Sequence, residues 1–164
     1  MEETVVRSPD EAVQALRDCY CGNMLKLEQA GEVHSLREYL SGWLGGGRRR
    51  HDLEEALSAF HAEAEKLVET LCGALEDCPE QAARGAAAAL EIILFYPPKQ
   101  GKALDLSLAA MEGLSLPLIS HLERETAAGM VQRYRKRTPP RMMLPNQRTL
   151  FGRLKEQAEL GRAT

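Results

Sequence analysis

The run from Asp52 to Glu76 restricts the fold more than any other part of this chain. Its apolar residues Leu53, Ala56, Leu57, Phe60, Ala64, Leu67, Val68, Leu71, Cys72 and Leu75 return at spacings of three and four. That spacing puts them on one stripe of a helix with 3.6 residues per turn. Asp52 with Glu55 three residues on fits a reciprocal cap, and no Pro interrupts the run. At 1.5 Å per residue such a helix reaches roughly 37 Å, enough to act as the spine of a small domain. Its other face is acidic, with Glu54, Glu55, Glu63, Glu65 and Glu69.

The flanking segments read the same way. Ser8, Pro9, Asp10 and Glu11 combine a Ser cap, Pro at the first helical position and Glu at the capping-box position. The helix they start carries Val13, Leu16, Tyr20, Met24 and Leu27 on one stripe, widened by Ala12 and Cys19, and Gly31 is the expected stop. A shorter helix is expected over 32–44, ended by Gly45, Gly46 and Gly47, with a loop through Arg48, Arg49 and Arg50 to the spine.

Beyond the spine, Asp77, Cys78 and Pro79 open a helix running to about Tyr96. Its second half is apolar almost all round, with Glu91 the single exception, which predicts burial in the middle of the core. Ile92–Tyr96 alone could be a buried strand, but Ala86–Ala89 before it favour helix. Leu104, Leu108, Met111, Leu114, Leu118 and Leu122 keep helical phase across Pro117, so a kinked helix or two helices meeting near Gly113–Pro117 is expected. Helix should then continue to Arg137 and end at Thr138, Pro139 and Pro140, with a short last helix over Leu150–Leu160.

The fold class that follows is all-α: an irregular bundle of five to seven helices without a sheet. Residues 1–137 form the helical domain and 138–164 a basic, Pro-interrupted segment with a short terminal helix. At 164 residues the chain is long enough to bury a core without disulfides or metal. The acidic opening Met1–Glu2–Glu3–Thr4 and the lack of a long apolar run predict a cytoplasmic protein with no membrane contact.

Charge is divided along the chain. Residues 1–129 hold 12 Lys and Arg against 22 Asp and Glu, a balance of −10, while residues 130–164 hold 9 against 2, a balance of +7, which together give the net −3. Arg133, Tyr134, Arg135, Lys136, Arg137, Arg141 and Arg148 are therefore the candidate binding residues. Arginine forks suit carboxylate or phosphate, and a tyrosine among them could stack on an unpaired base. The other reading of the same residues is that the basic segment rests on the chain's own acidic helices.

Catalytic signals are sparse. There is no P-loop, no G-x-S-x-G elbow and no His-Glu-x-x-His, and Ser58, His61 and Glu65 share a helix face without the pocket a triad needs. Cys19, Cys21, Cys72 and Cys78 lack zinc-knuckle spacing and read as thiols of a reduced protein. Each histidine has Glu four residues later (His34–Glu38, His51–Glu55, His61–Glu65 and His121–Glu125), a pattern that an acidic helical protein produces by composition. The expected function is a non-enzymatic helical interaction or regulatory protein that docks a protein partner through its basic segment, with no cofactor and no metal site. An RNA- or single-stranded-DNA-binding protein is the alternative, and a small metal- or thiol-dependent enzyme the minority one. The sequence does not specify the oligomeric state.

Overall fold

A computed structural model describes the backbone of residues 8–40, 46–97 and 102–160, with side chains over 8–27, 54–97 and 107–159. Two long helices, α1 (Pro9–Leu40) and α2 (Gly46–Asp77), pack against each other. A 3₁₀ turn, Pro79–Gln81, leads into α3 (Ala82–Leu90), which continues as a π-helical turn over Glu91–Phe95. Then come α4 (Lys102–Met111), a 3₁₀ turn over Glu112–Ser115, the single-turn α5 (Leu116–Ile119), α6 (Arg124–Arg137), a 3₁₀ turn over Pro140–Met142, and α7 (Pro145–Leu160). Every described element is helical, as the periodicity requires, and no helix among the described residues is long and apolar enough to cross a membrane.

The start of α1 follows its sequence signal atom by atom. Glu11 N–H donates to Ser8 Oγ at 3.2 Å and Ser8 N–H donates to Glu11 Oε1 at 3.2 Å, so the two side chains satisfy amides that the first turn leaves unpaired. The expected stripe is the buried one: Ala12, Val13, Leu16, Cys19, Tyr20, Met24 and Leu27. On α2 the buried positions are Phe60, Ala64, Val68, Leu71, Ala74 and Leu75, with Leu57, Leu67 and Cys72 half-buried at the edges. Ala56 is exposed, and Leu53, Trp43 and Leu44 lie outside the described side chains.

Three expected boundaries move. Gly31 does not stop α1, which runs on to Leu40, because one glycine inside a long helix costs only about 1 kcal/mol. The spine begins at Gly46, not Asp52, so Arg48–Arg50 are helical and the Asp52–Glu55 pair sits inside the helix rather than at its cap. α7 starts at Pro145, five residues ahead of Leu150. Its start uses Pro at the first position together with Gln147 Oε1, which accepts from Leu144 N–H at 3.0 Å. That is half of a capping box with no Ser, Thr or Asp to advertise it.

At Pro117 the structure takes the two-helix form: α4 loosens into the 3₁₀ turn over Glu112–Ser115, and Pro117 sits in the first turn of α5. The chain then leaves the helix, with turn bonds His121 N–H to Leu118 O and Leu122 N–H to Ile119 O, before α6 begins. Leu122 keeps its apolar phase and is buried, yet a turn places it, not a continuous helix. His121 consequently shares no helix with Glu125.

The core runs without a break past Thr138. Met143, Leu150, Phe151 and Leu154 join the cluster that holds Leu16, Phe60, Leu90 and Leu118, and α7 lies along α6. Where α3 crosses the two long helices, Gly85 allows close approach: a Cβ there would come within 2.8 Å of Leu75 Cδ2 and 3.4 Å of Pro9 Cβ.

Candidate interaction surface

The basic helix α6 is a two-sided element. Its apolar face, Ala127, Met130, Val131 and Tyr134, is buried against the core. Its cations divide between tying the helix down and facing solvent.

Arg133 and Arg137 tie it down. The Arg133 guanidinium forks onto Glu91, donating from its two terminal nitrogens at 2.5 and 2.8 Å, and lies 4.1 Å from the centroid of the Phe95 ring. Glu91 is the one charge in the apolar second half of this helical run, and it opens the π-helical turn. Its hydrogen bonds raise the Arg133 pKa further above its ordinary value. Arg137 donates to the carbonyl of Pro97. The basic helix thus rests on the π turn and the residues after it, not on the Glu63–Glu69 face of the spine; Glu63 instead accepts from Asn23 Nδ2 at 3.3 Å.

Tyr134 faces inward. Its ring is fully buried and stacks with Phe151 at 6.1 Å, and its hydroxyl donates to Glu112 Oε1 at 2.5 Å. Gln147 Nε2 donates to the same oxygen at 3.1 Å, and Ser115 Oγ donates to the Glu112 carbonyl at 2.6 Å, so α6, α7 and the 3₁₀ turn meet on one carboxylate residue. A tyrosine in this position has no face to offer a base. Burial, then the Glu112 charge, pushes its pKa up.

Four candidates remain on the surface: Arg135 and Lys136 in the last turn of α6, Arg141 on the following 3₁₀ turn and Arg148 on α7. Arg148 Nε donates to Met143 O at 3.3 Å. Among the described residues Arg135, Lys136 and Arg141 have neither an ion pair nor a hydrogen-bond partner. Next to Arg141 in the chain, Met142 stands 66 % exposed, an apolar side chain in the turn between α6 and α7.

The sequence reading missed Glu91, Glu112, Gln147 and Met142. For Glu91 the signal existed: one carboxylate in an apolar run demands a partner, and the basic run further along the chain could supply it. Nothing in the sequence marks Met142 as exposed.

The other polar features are internal. Tyr20 packs edge to face on Phe60, with centroids 4.9 Å apart, and its buried hydroxyl has no hydrogen-bond partner. Tyr20→Phe therefore removes only an unsatisfied group and is expected to leave stability unchanged or raise it by up to about 1 kcal/mol. Tyr134→Phe takes a donor from Glu112 and should cost about 1–3 kcal/mol. Equal losses in chemical denaturation of the two variants would refute this contrast.

Cys19 is buried and Cys21 exposed, two positions apart on α1. Burial, and then the neighbouring Glu63 charge, pushes the Cys19 thiol up from 9.0 to about 12. Burial also raises the Tyr20 hydroxyl above 10.0. These groups ionise earlier in the unfolded chain, so above pH 9 the native state binds more protons and stability falls as pH rises. The urea midpoint should drop steadily between pH 9 and 12, and alkylation at pH 8 should reach Cys21 well before Cys19. A flat alkaline profile would exclude this. Among the described residues no group of three or more His, Cys, Asp or Glu is placed to hold a metal ion.

Comparison with protein-family models, with curated proteins and with solved structures finds no match for this chain.

Proposed function

We propose that this is a non-enzymatic, cytosolic interaction protein whose α6–α7 turn docks an acidic protein partner. The observation that carries this reading is the sorting of the basic residues: Arg133 and Arg137 are bound to the protein's own acceptors, while Arg135, Lys136 and Arg141 are exposed and without a partner among the described residues, and Met142 next to Arg141 is exposed as well. An exposed apolar side chain on a basic segment matches an acidic helix with an apolar anchor, because the anchor gives affinity while the charges steer approach and select the partner. Single-stranded nucleic acid fits less well, since stacking aromatic rings give such sites much of their affinity and the tyrosine of this segment lies in the core.

The test uses a Glu-rich amphipathic peptide and a single-stranded oligonucleotide of equal charge, each followed by fluorescence anisotropy. The peptide should bind and weaken as salt rises. Charge reversal of Arg135, Lys136 and Arg141 to Glu should weaken it about tenfold or more while leaving the fold intact, because none of the three has an internal partner among the described residues. Binding of the oligonucleotide alone would replace the protein partner with nucleic acid, and binding of neither would reject the reading.

A further inference from the structure

A groove of about 510 Å³ runs between α1 and α2, on a part of the molecule to which the α6–α7 turn contributes no lining residue. Ala15 and Gly22, seven residues apart on α1, and Leu67 on α2 give it an apolar wall. Asp18 and Glu63 bring exposed carboxylates to it. Gln14 Nε2 donates to Asp18 at 2.9 Å and Asn23 Nδ2 to Glu63 at 3.3 Å, but among the described residues neither carboxylate has a cation within ion-pair distance. Among the described residues that line the groove, Lys26 is the one opposing charge. The wider field is acidic: from Glu54 to Asp77, α2 carries seven carboxylates against one lysine.

The α6–α7 turn has the complementary chemistry. Met142 is unbranched and fits irregular apolar surface, and Arg141 beside it has no partner among the described residues. We infer that a second copy of this chain is an occupant of the groove: Met142 of one copy lies against Ala15, Gly22 and Leu67 of another, and Arg141 meets Asp18 and Glu63. This rests on the docking role proposed for the turn and assigns its partner. The two surfaces differ, so the contact is head-to-tail and leaves a pair with an unused groove on one copy and an unused turn on the other. Exposed ion pairs contribute little each, so association is weak and sensitive to salt.

Sedimentation velocity on the full chain tests it. At low salt and high protein concentration, species heavier than the 18.2 kDa monomer should form, and they should disappear in roughly 0.5 M salt. Gly22→Trp fills the groove from an exposed helix position where an added Cβ meets nothing within 4 Å, and association should be lost while circular dichroism stays that of wild type. Arg141→Glu should also be monomeric. Mixing it with an Asp18→Lys, Glu63→Lys variant should restore association between unlike copies, which misfolded variants could not do. A wild type that stays monomeric at low salt, or a Gly22→Trp variant that associates like wild type, overturns the inference. Acidic-peptide binding in the same samples separates the two ideas: a monomer that binds the peptide through its basic turn loses only the second copy as partner, whereas a monomer that does not bind it loses the docking role too.

Discussion

A chain ended after Thr138 is expected to fail to fold. That cut looks harmless in the sequence, where it removes a Pro-interrupted basic segment of low periodicity. In the structure it removes Met143, Leu150, Phe151 and Leu154, all buried, and exposes the face of α6 on which Tyr134 stacks against Phe151. At about 1.5–3 kcal/mol for each large apolar side chain, the loss is on the order of 6–12 kcal/mol, comparable to the whole stability of an ordinary domain. Glu112 also loses the Gln147 donor. Circular dichroism and thermal melting would decide the matter: a truncated chain that melts cooperatively within a few degrees of the full one would show that α7 is an accessory. For the same reason the docking role is best probed by charge reversal on the surface, which leaves α7 in place.

Phe60→Ala carries the second large effect. Phe60 is fully buried at the middle of the α1–α2 seam, with Tyr20 edge to face against it. Removing the ring opens a cavity that two long helices cannot easily close, and the expected cost is about 3–5 kcal/mol. For a domain of this length that corresponds to a fall in Tm of about 6–20 °C. Urea denaturation would measure it directly. A loss below about 1 kcal/mol would mean that the seam between the long helices is not where the core is anchored.

The two variants differ in how far the sequence announces them. Phe60 belongs to a stripe visible at once, because helical periodicity is a local property: residues three and four apart share a face whatever that face later meets. The same holds for Leu16, Tyr20 and Met24 on α1, and for the apolar run around Leu90 and Ile93. Element ends were less legible. Gly31 and Asp52 both look like helix boundaries, but the cost of a glycine or the gain from a cap is about 1 kcal/mol, small enough for the rest of a helix to override. The start of α7 was hidden because Leu144 occupies the position where a capping side chain is expected.

The candidate site was legible as a composition and not as a surface. Seven residues of the basic segment look alike in the sequence, yet Tyr134 enters the core, Arg133 and Arg137 are tied down, and Arg135, Lys136, Arg141 and Arg148 remain exposed. The pairing that separates them spans 42 residues from Glu91 to Arg133 and 22 from Glu112 to Tyr134. No local rule connects such positions.

From the sequence alone come the all-helical class, the two long helices' buried faces, the capped start at Ser8 and the division of charge between an acidic body and a basic C-terminal part. Each depends on spacing or counting within a few turns of chain. Only the tertiary structure decides what those faces and charges meet: that the basic helix lies on Glu91 rather than on the spine's carboxylates, that its tyrosine completes the core, and that Met142 is left exposed beside Arg141. A helix's pattern says which side is buried; what covers it depends on how distant segments pack, and that is decided when the core closes.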